Sequence, residues 1–173
     1  TAGSAIEVSD TGISIVDCVL TGADAGANVH TGATPEFIKN EFSDNYYGLT
    51  CADSAAPILS GNRFRGNSFA NISNAGAPGP VVGGSLATAN DFLDNAFFTI
   101  FNTGTATVSA ELNFWGNACV DSAWFYGPVD FLPWTDSLHV QTYDECPGTG
   151  VGDGLPARHA LGRNVPNPFN PGT

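Results

Sequence analysis

The residues able to do chemistry are few and widely spaced. Between residues 1 and 157 the basic groups are Lys39, Arg63 and Arg65. Paired carboxylates that converge on one bond are the usual means of cleaving a glycoside, and Asp44 and Asp94 are the pair whose surroundings match each other. His30, His139 and His159 have no Ser or Cys at a spacing that makes a nucleophile and base. Cys18, Cys51, Cys119 and Cys146 form no C-x-x-C and no Cys/His cluster, so a structural zinc site is not expected. No cofactor is called for. Chemistry at any of these groups depends on what the rest of the chain brings together.

The composition narrows the partners. Lys plus Arg number 5 against 17 Asp plus Glu, for a net charge of −12, and charged residues make up only 13% of the 173 residues. With so few cations the chain cannot neutralise a run of phosphates, so nucleic acid is a poor partner, as is an anionic membrane surface. No apolar run reaches the roughly 18 residues of a membrane span. The 21 Gly and 11 Pro, interspersed with Asn, Asp, Thr and Ser, break the apolar residues into short bursts. That pattern favours short strands over helices.

The bursts repeat. Asn40–Asn45, Asn62–Asn67 and Asn90–Asn95 share the template N-x-F-x-x-N, Leu112–Asn117 keeps the Phe and the last Asn, and Asp17–Gly22 is a degenerate first copy. The central positions are then 19, 42, 64, 92 and 114, with a period near 22 interrupted once, where Ala77–Pro80 and Gly83-Gly84 read as an inserted loop. A period of that length with a turn residue at each end fits one coil of a β-solenoid. The expected fold is therefore all-β, a parallel β-helix of about five coils.

Aligning the copies gives expected columns. Val19, Phe42, Phe64, Phe92 and Phe114 stack about 4.8 Å apart. Ile13, Glu36, Ile58, Leu86 and Val108, and then Ile15, Ile38, Ser60, Thr88 and Ala110, share their face by the alternation of a strand. Tyr47, Phe69 and Phe97 form a second column, and every Phe reads as core. Asn45, Asn67, Asn95 and Asn117 fall where the coil bends. There Asn tolerates a left-handed backbone, and identical amides can bond up the column. Calcium at these bends would need several oxygen ligands, and the glycine-rich nonapeptide of calcium-binding solenoids is missing. The sequon Asn71-Ile72-Ser73 is a candidate glycan acceptor.

These coils, with Gly48-Leu49-Thr50 and Pro57-Ile58-Leu59 between them, resemble the right-handed parallel β-helix repeats of the pectin-lyase-like superfamily. Leu112-Asn113-Phe114-Trp115-Gly116-Asn117 is similar to the Asn-Trp-Trp-Gly run that ends many such helices. Gly127-Pro128 and Pro133-Trp134 match the Gly-Pro and Pro-Trp pairs commonly found after that run. The resemblance covers residues 5–135 and implies the right hand of the helix. It leaves activity open, since the superfamily includes lyases, hydrolases, epimerases, adhesins and non-enzymes. A second resemblance lies in Leu161–Thr173, which has every fixed position of Leu-x-x-Asn-x-Pro-Asn-Pro-Phe-Asn-Pro-x-Thr, the opening of bacterial carboxy-terminal sorting domains of the type-nine secretion or flagellar-hook-cap-like immunoglobulin kind. Such domains run on for several more strands, of which this sequence carries only the first motif. The organisation implied is a β-helix with a closing aromatic segment over 1–135, a post-helix segment over 136–146, a Gly/Pro-rich linker over 147–163 and the sorting-type motif over 164–173.

The solenoid bears on the chemistry. Lyases of the superfamily use a basic residue, usually with calcium, to remove a proton beside a uronate carboxylate, whereas hydrolases need converging Asp residues. Asp44 and Asp94 share a column but stand two coils, roughly 9.6 Å, apart. Glu41, Arg63 and Asp91 form a charge ladder, worth little per pair. No catalytic residue is assigned. Arg63, Arg65, Asp44 and Asp94 are the candidates for carbohydrate contact, with an acidic polysaccharide as the alternative partner. An acidic, four-cysteine chain with a sorting-like end is expected outside the cell, secreted or on a bacterial surface. Cys119 with Cys146 is the expected disulfide, since one follows the last coil and the other ends the segment behind it; Cys18 and Cys51 are either bonded across a corner or free. The leading expectation is a non-catalytic structural or adhesive β-helix. Trp115, Trp124, Phe125, Tyr126, Phe131 and Trp134 would cap its C-terminal end. Ser4–Val8 reads as a strand with a bare edge, against which copies could stack end to end into a filament.

Overall fold

The computed structural model describes residues 3–94 and 97–147. The chain winds into a parallel β-solenoid of about six turns. Coil one holds β1 (Ser4–Val8), β2 (Ser14–Val16) and β3 (Val19–Thr21). Coil two holds β4 (Ala25–Val29), β5 (Glu36–Ile38) and β6 (Glu41–Ser43), and coil three β7 (Tyr47–Cys51), β8 (Ile58–Ser60) and β9 (Arg63–Arg65). Coil four holds β10 (Ala70–Asn74), β11 (Val81–Val82) and β12 (Asp91–Phe92). Coil five has β13 (Phe98–Asn102) and β14 (Val108–Ser109), and the sixth, shorter coil has β15 (Phe125–Tyr126) and β16 (Val129–Asp130). An antiparallel hairpin, β17 (Trp134–Thr135) with β18 (Thr142–Tyr143), comes last.

Like strands of successive coils pair in parallel. The first sheet runs β1-β4-β7-β10-β13-β15, the second β2-β5-β8-β11-β14-β16 and the third β3-β6-β9-β12, so three faces enclose one core. Six turns rather than five result because the last coil continues two sheets without repeating the Asn-Phe template. Expectations for Asn95, His159, nearly all of the linker and the motif over 164–173 lie outside the described residues.

The aromatic column exists, with its first and last members shifted by one residue. Leu20, Phe42, Phe64 and Phe92 occupy matching positions. Val19 is 64% exposed. The fifth member is Trp115, stacked on Phe92 at 4.6 Å, rather than Phe114. The fixed point of each copy is the Asn two residues before the ring, not the letter Phe. Asn113 occupies that place in the last coil, and Cys18 in the first.

The second sheet's inward column is Ile15, Phe37, Leu59 and Val82, all buried. Glu36 and Ile58, which the alternation placed inside, face outward. The strand period does not carry across the corner between second and third sheets. Lys39 sits there with φ 54° and adds a residue to the bend, so the inward positions run 37, 40, 42. Leu86 is exposed because the strand of its coil is Val81-Val82, upstream of part of the insertion.

The Asn residues act by a different means from the one expected. The left-handed residues at the next corner are Gly22, Asp44, Gly66 and Asp94, each with φ between 52° and 72°. Asn45 and Asn67 follow two of them with their side chains buried. Stacking of amides does occur, at three corners: along Asn40, Asn62, Asn90 and Asn113, between Asn45 and Asn67, and between Asn74 and Asn102. Along the ladder Asn40, Asn62, Asn90 and Asn113, each Asn from Asn62 onward accepts at Oδ1 from the backbone N–H of the Asn one coil earlier, at 2.8–2.9 Å. Each also donates from Nδ2 to a carbonyl of an earlier coil: Phe37 for Asn62, Leu59 for Asn90 and Val82 for Asn113. Corner amides that would otherwise be orphaned inside the solenoid are thereby satisfied. Asn71 is 1% exposed and its Oδ1 accepts from Asn67, so the sequon is closed to a glycan in the folded coil.

The C-terminal end is plugged as expected. Trp115 meets Phe125 edge to face at 5.0 Å, Phe125 stacks on Phe131 at 4.4 Å, and buried Trp134 donates its indole N–H to the Ala118 carbonyl. Tyr126 is not part of the plug; it is 50% exposed and turned outward. Cys119 and Cys146 are disulfide-bonded across this segment, while Cys18 is exposed and free and Cys51 is buried and free. At the other end, β1, β2 and β3 each have a neighbour on one side only.

Candidate functional site: an outward aromatic strip

The first sheet fills its inner face with Ala27, Leu49, Ile72 and Ile100 in one column. The position just before the start of these strands is instead partly or fully exposed and aromatic in coils three to five. Tyr46, Phe69 and Phe97 form an external stack, with ring centroids 5.4 and 6.1 Å apart and planes within 16°. Tyr47, Phe98, Phe101 and Tyr126 complete one connected cluster around it. Tyr46 is 48% exposed and Phe97 69%. Burial among these rings pushes the Tyr47 hydroxyl above its ordinary pKa. Every Phe was expected in the core; four of these are not. The doublets Tyr46-Tyr47 and Phe97-Phe98, each straddling the start of a strand, carried the signal, because adjacent extended residues do not both point inward.

Beside the strip lies the corner between third and first sheets, where the charged candidates meet. Arg65 makes two hydrogen bonds to Glu41 Oε1, at 2.7 and 2.9 Å, and these hold its pKa above the ordinary value. Asp44 and Asp94 also lie within electrostatic range of Arg65. Gly66 separates the two acids in their column, and a Cβ there would sit 2.7 Å from Asp44 Oδ1. The fold thus gathers Arg65, Asp44 and Asp94. Arg63 stays apart, exposed and in register with Glu41 and Asp91 as the charge ladder predicted. Asp91 has a further partner: His139, on the turn of the last hairpin, at 3.0 Å.

Two open depressions accompany these features. One of about 170 Å³ is lined by Asp94, Trp115, Gly116, Asn117 and Trp124. The other, about 350 Å³, lies over the second sheet against Ile13, Ser14, Thr34, Glu36 and Ile58 and presents a single carboxylate. The buried Trp115 indole N–H has no oxygen partner and its ring stands edge-on to Phe125. Among the described residues no group of three or more His, Cys, Asp or Glu is placed to hold a metal ion. What the arrangement offers is a rigid aromatic surface with acids along one side.

Residues 1–121 match the family model described as "Right handed beta helix region". No curated protein and no solved structure matches the chain.

Proposed function

The chain belongs to the right-handed β-helix family, and on that premise we propose that it is a non-catalytic structural and adhesive module working outside the cell, secreted or held on a bacterial surface. The observation carrying this reading is the outward strip. A solenoid with a filled interior has no need of seven clustered aromatics outside, and exposed aromatic clusters mark interaction surfaces. The Asn ladders and aromatic plug supply the stiffness such a surface needs. The Cys119–Cys146 bond supports an oxidising location, as does the sorting-type motif over 164–173. Among the described residues no helix is long and apolar enough to cross a membrane.

End-to-end association is part of the proposal at one end only. The aromatic plug fills the core at the C-terminal end, and the one-sided strands β1, β2 and β3 are proposed as the place where further coils or another copy would join, although β15 and β16 are one-sided as well. Light scattering and electron microscopy of the native protein test this: a monomer at all concentrations removes self-association from the reading.

A second reading, cleavage or binding of an acidic polysaccharide, draws on Arg65 beside Asp44 and Asp94. The arrangement favours it less, since Arg65 is already bonded to Glu41. The deciding experiment measures reducing ends and absorbance on acidic and neutral polysaccharides, alongside retention on cell-surface material. No turnover is expected, and retention should fall in a Tyr46→Ser, Phe97→Ser, Tyr126→Ser variant that unfolds at an unchanged temperature. Turnover abolished by Asp94→Asn would overturn the non-catalytic reading.

A further inference from the structure

Among the described residues the external stack has two open ring faces, and Asp24 stands one coil beyond one of them in register. Phe69 is covered on both sides by Tyr46 and Phe97. Among the described residues no ring stacks on the far side of Tyr46. The pairing of Ala25 with Tyr47 puts Asp24 in the column of Tyr46, one coil earlier and exposed. Coils are about 4.8 Å apart, so a cation resting on that ring face lies within reach of the Asp24 carboxylate. A ring face attracts a cation through its quadrupole, and a carboxylate beside it adds a charge-assisted bond. Asp44 extends the acidic margin, and Arg65, the cation nearby, is taken up by Glu41.

We propose that Tyr46 and Asp24 dock an arginine or lysine side chain from a short extended segment of a partner protein, with the neighbouring rings receiving apolar side chains of that segment. This rests on the reading that the strip is the working surface. Charge complementarity argues for a basic partner, since this chain carries −12. It also disfavours a second copy, which has just 5 Lys and Arg over its whole length. Size argues for a short segment. With Tyr46, Phe97 and Tyr126 at 48%, 69% and 50% exposure, the strip offers on the order of 300–400 Å². A folded partner in a stable complex buries about 800 Å² per side. Stacked rings present their edges, which leaves little flat face for a sugar chain.

The test uses labelled hexapeptides read by fluorescence anisotropy: Ser-Arg-Leu-Arg-Ser-Gly, its Glu-for-Arg counterpart, and a neutral glucose oligosaccharide as competitor. The basic peptide should bind and the acidic one should not, with affinity falling as salt rises. Tyr46→Ala and Asp24→Asn should each weaken binding roughly three- to tenfold, while Tyr46→Phe stays within about twofold. Asp10→Asn, an exposed acid away from the strip, should change nothing. Equal losses in the Asp10 and Asp24 variants would reduce the effect to net charge and overturn the proposal, as would full binding by Tyr46→Ala. Oligosaccharide binding that requires Tyr46, without peptide binding, would keep the strip as working surface and overturn the basic segment. Failure of every probe, with surface retention also indifferent to the strip, would overturn both readings.

Discussion

Replacing Asn62 by Leu tests the amide ladder at its centre. Asn62 is 1% exposed. Its Oδ1 accepts from the Asn40 backbone N–H at 2.9 Å and from Asn40 Nδ2 at 3.1 Å. Its Nδ2 donates to the Phe37 carbonyl at 2.8 Å and to Asn90 Oδ1 at 3.0 Å. Leu fills a similar volume but leaves two buried groups without partners, the Asn40 N–H and one amide hydrogen of Asn40, while the Phe37 carbonyl keeps its place in the β5–β8 ladder. Asn90 Oδ1 keeps the Asn62 backbone N–H. At about 1–3 kcal/mol per orphaned group, with neighbouring losses not fully additive, the cost is about 2–5 kcal/mol. That is a large part of a typical domain's stability. Asn117→Ala is the matched control, because Asn117 is exposed and accepts one bond, from the Cys119 N–H; it should cost about 1 kcal/mol or less. Urea unfolding monitored by circular dichroism measures both. An Asn62→Leu variant within about 1 kcal/mol of the parent would refute the claim that the ladder holds the corner.

Three further outcomes are expected. Phe64, fully buried between Phe42 at 4.7 Å and Phe92 at 4.8 Å, should cost about 3–5 kcal/mol on change to Ala, whereas the same change at Phe97, 69% exposed, should cost under about 1 kcal/mol; equal shifts in thermal unfolding would contradict the inside–outside assignment. Cys119→Ser, at a sequence separation of 27 from Cys146, should lower stability by about 3 kcal/mol on loop-entropy grounds, and mass spectrometry of the unreduced parent should show the linked peptides. Asp136 accepts from the Val140 N–H and, more weakly, from Gln141, and these bonds hold its carboxyl below the usual pKa. A depressed folded-state pKa stabilises above the unfolded value and loses that contribution as pH falls through the folded one. The β17–β18 turn should therefore loosen in acid, and Asp136→Asn should flatten that dependence in amide exchange.

The repeat was legible because each coil spends its residues on the same tasks at the same period. Which residues faced inward was less so. Counting by two works within a strand, but Lys39 and its equivalents Asp17, Gly61 and Leu112 are left-handed and change the phase at the corner between second and third sheets in four of the coils, so Phe37 and Phe42 both point inward five residues apart. Aligning on Phe rather than on the buried Asn misplaced Val19 and Phe114 for the same reason. The charged site was half legible: Asp44, Asp94 and Arg65 do meet, because they sit on one corner of neighbouring coils. The strip was hidden by the habit of reading aromatic as interior. Only the adjacency of Tyr46 with Tyr47, and of Phe97 with Phe98, spoke against it, and both members of each pair join the outward cluster.

The amide ladder also has a direction. Asn62 completes the backbone of the coil before it, Asn90 completes that of Asn62, and Asn113 completes that of Asn90. No coil in this series is finished by its own residues. In a chain emerging N-terminus first, each turn's corner N–H would stay unmet until its successor had wound on, which gives completion of the solenoid a direction. Damage propagates backward by the same logic: a faulty Asn spoils the turn that preceded it. Compensating changes for such a fault should accordingly be sought one coil upstream, where the unmet N–H resides, and not at the altered residue's own neighbours in sequence.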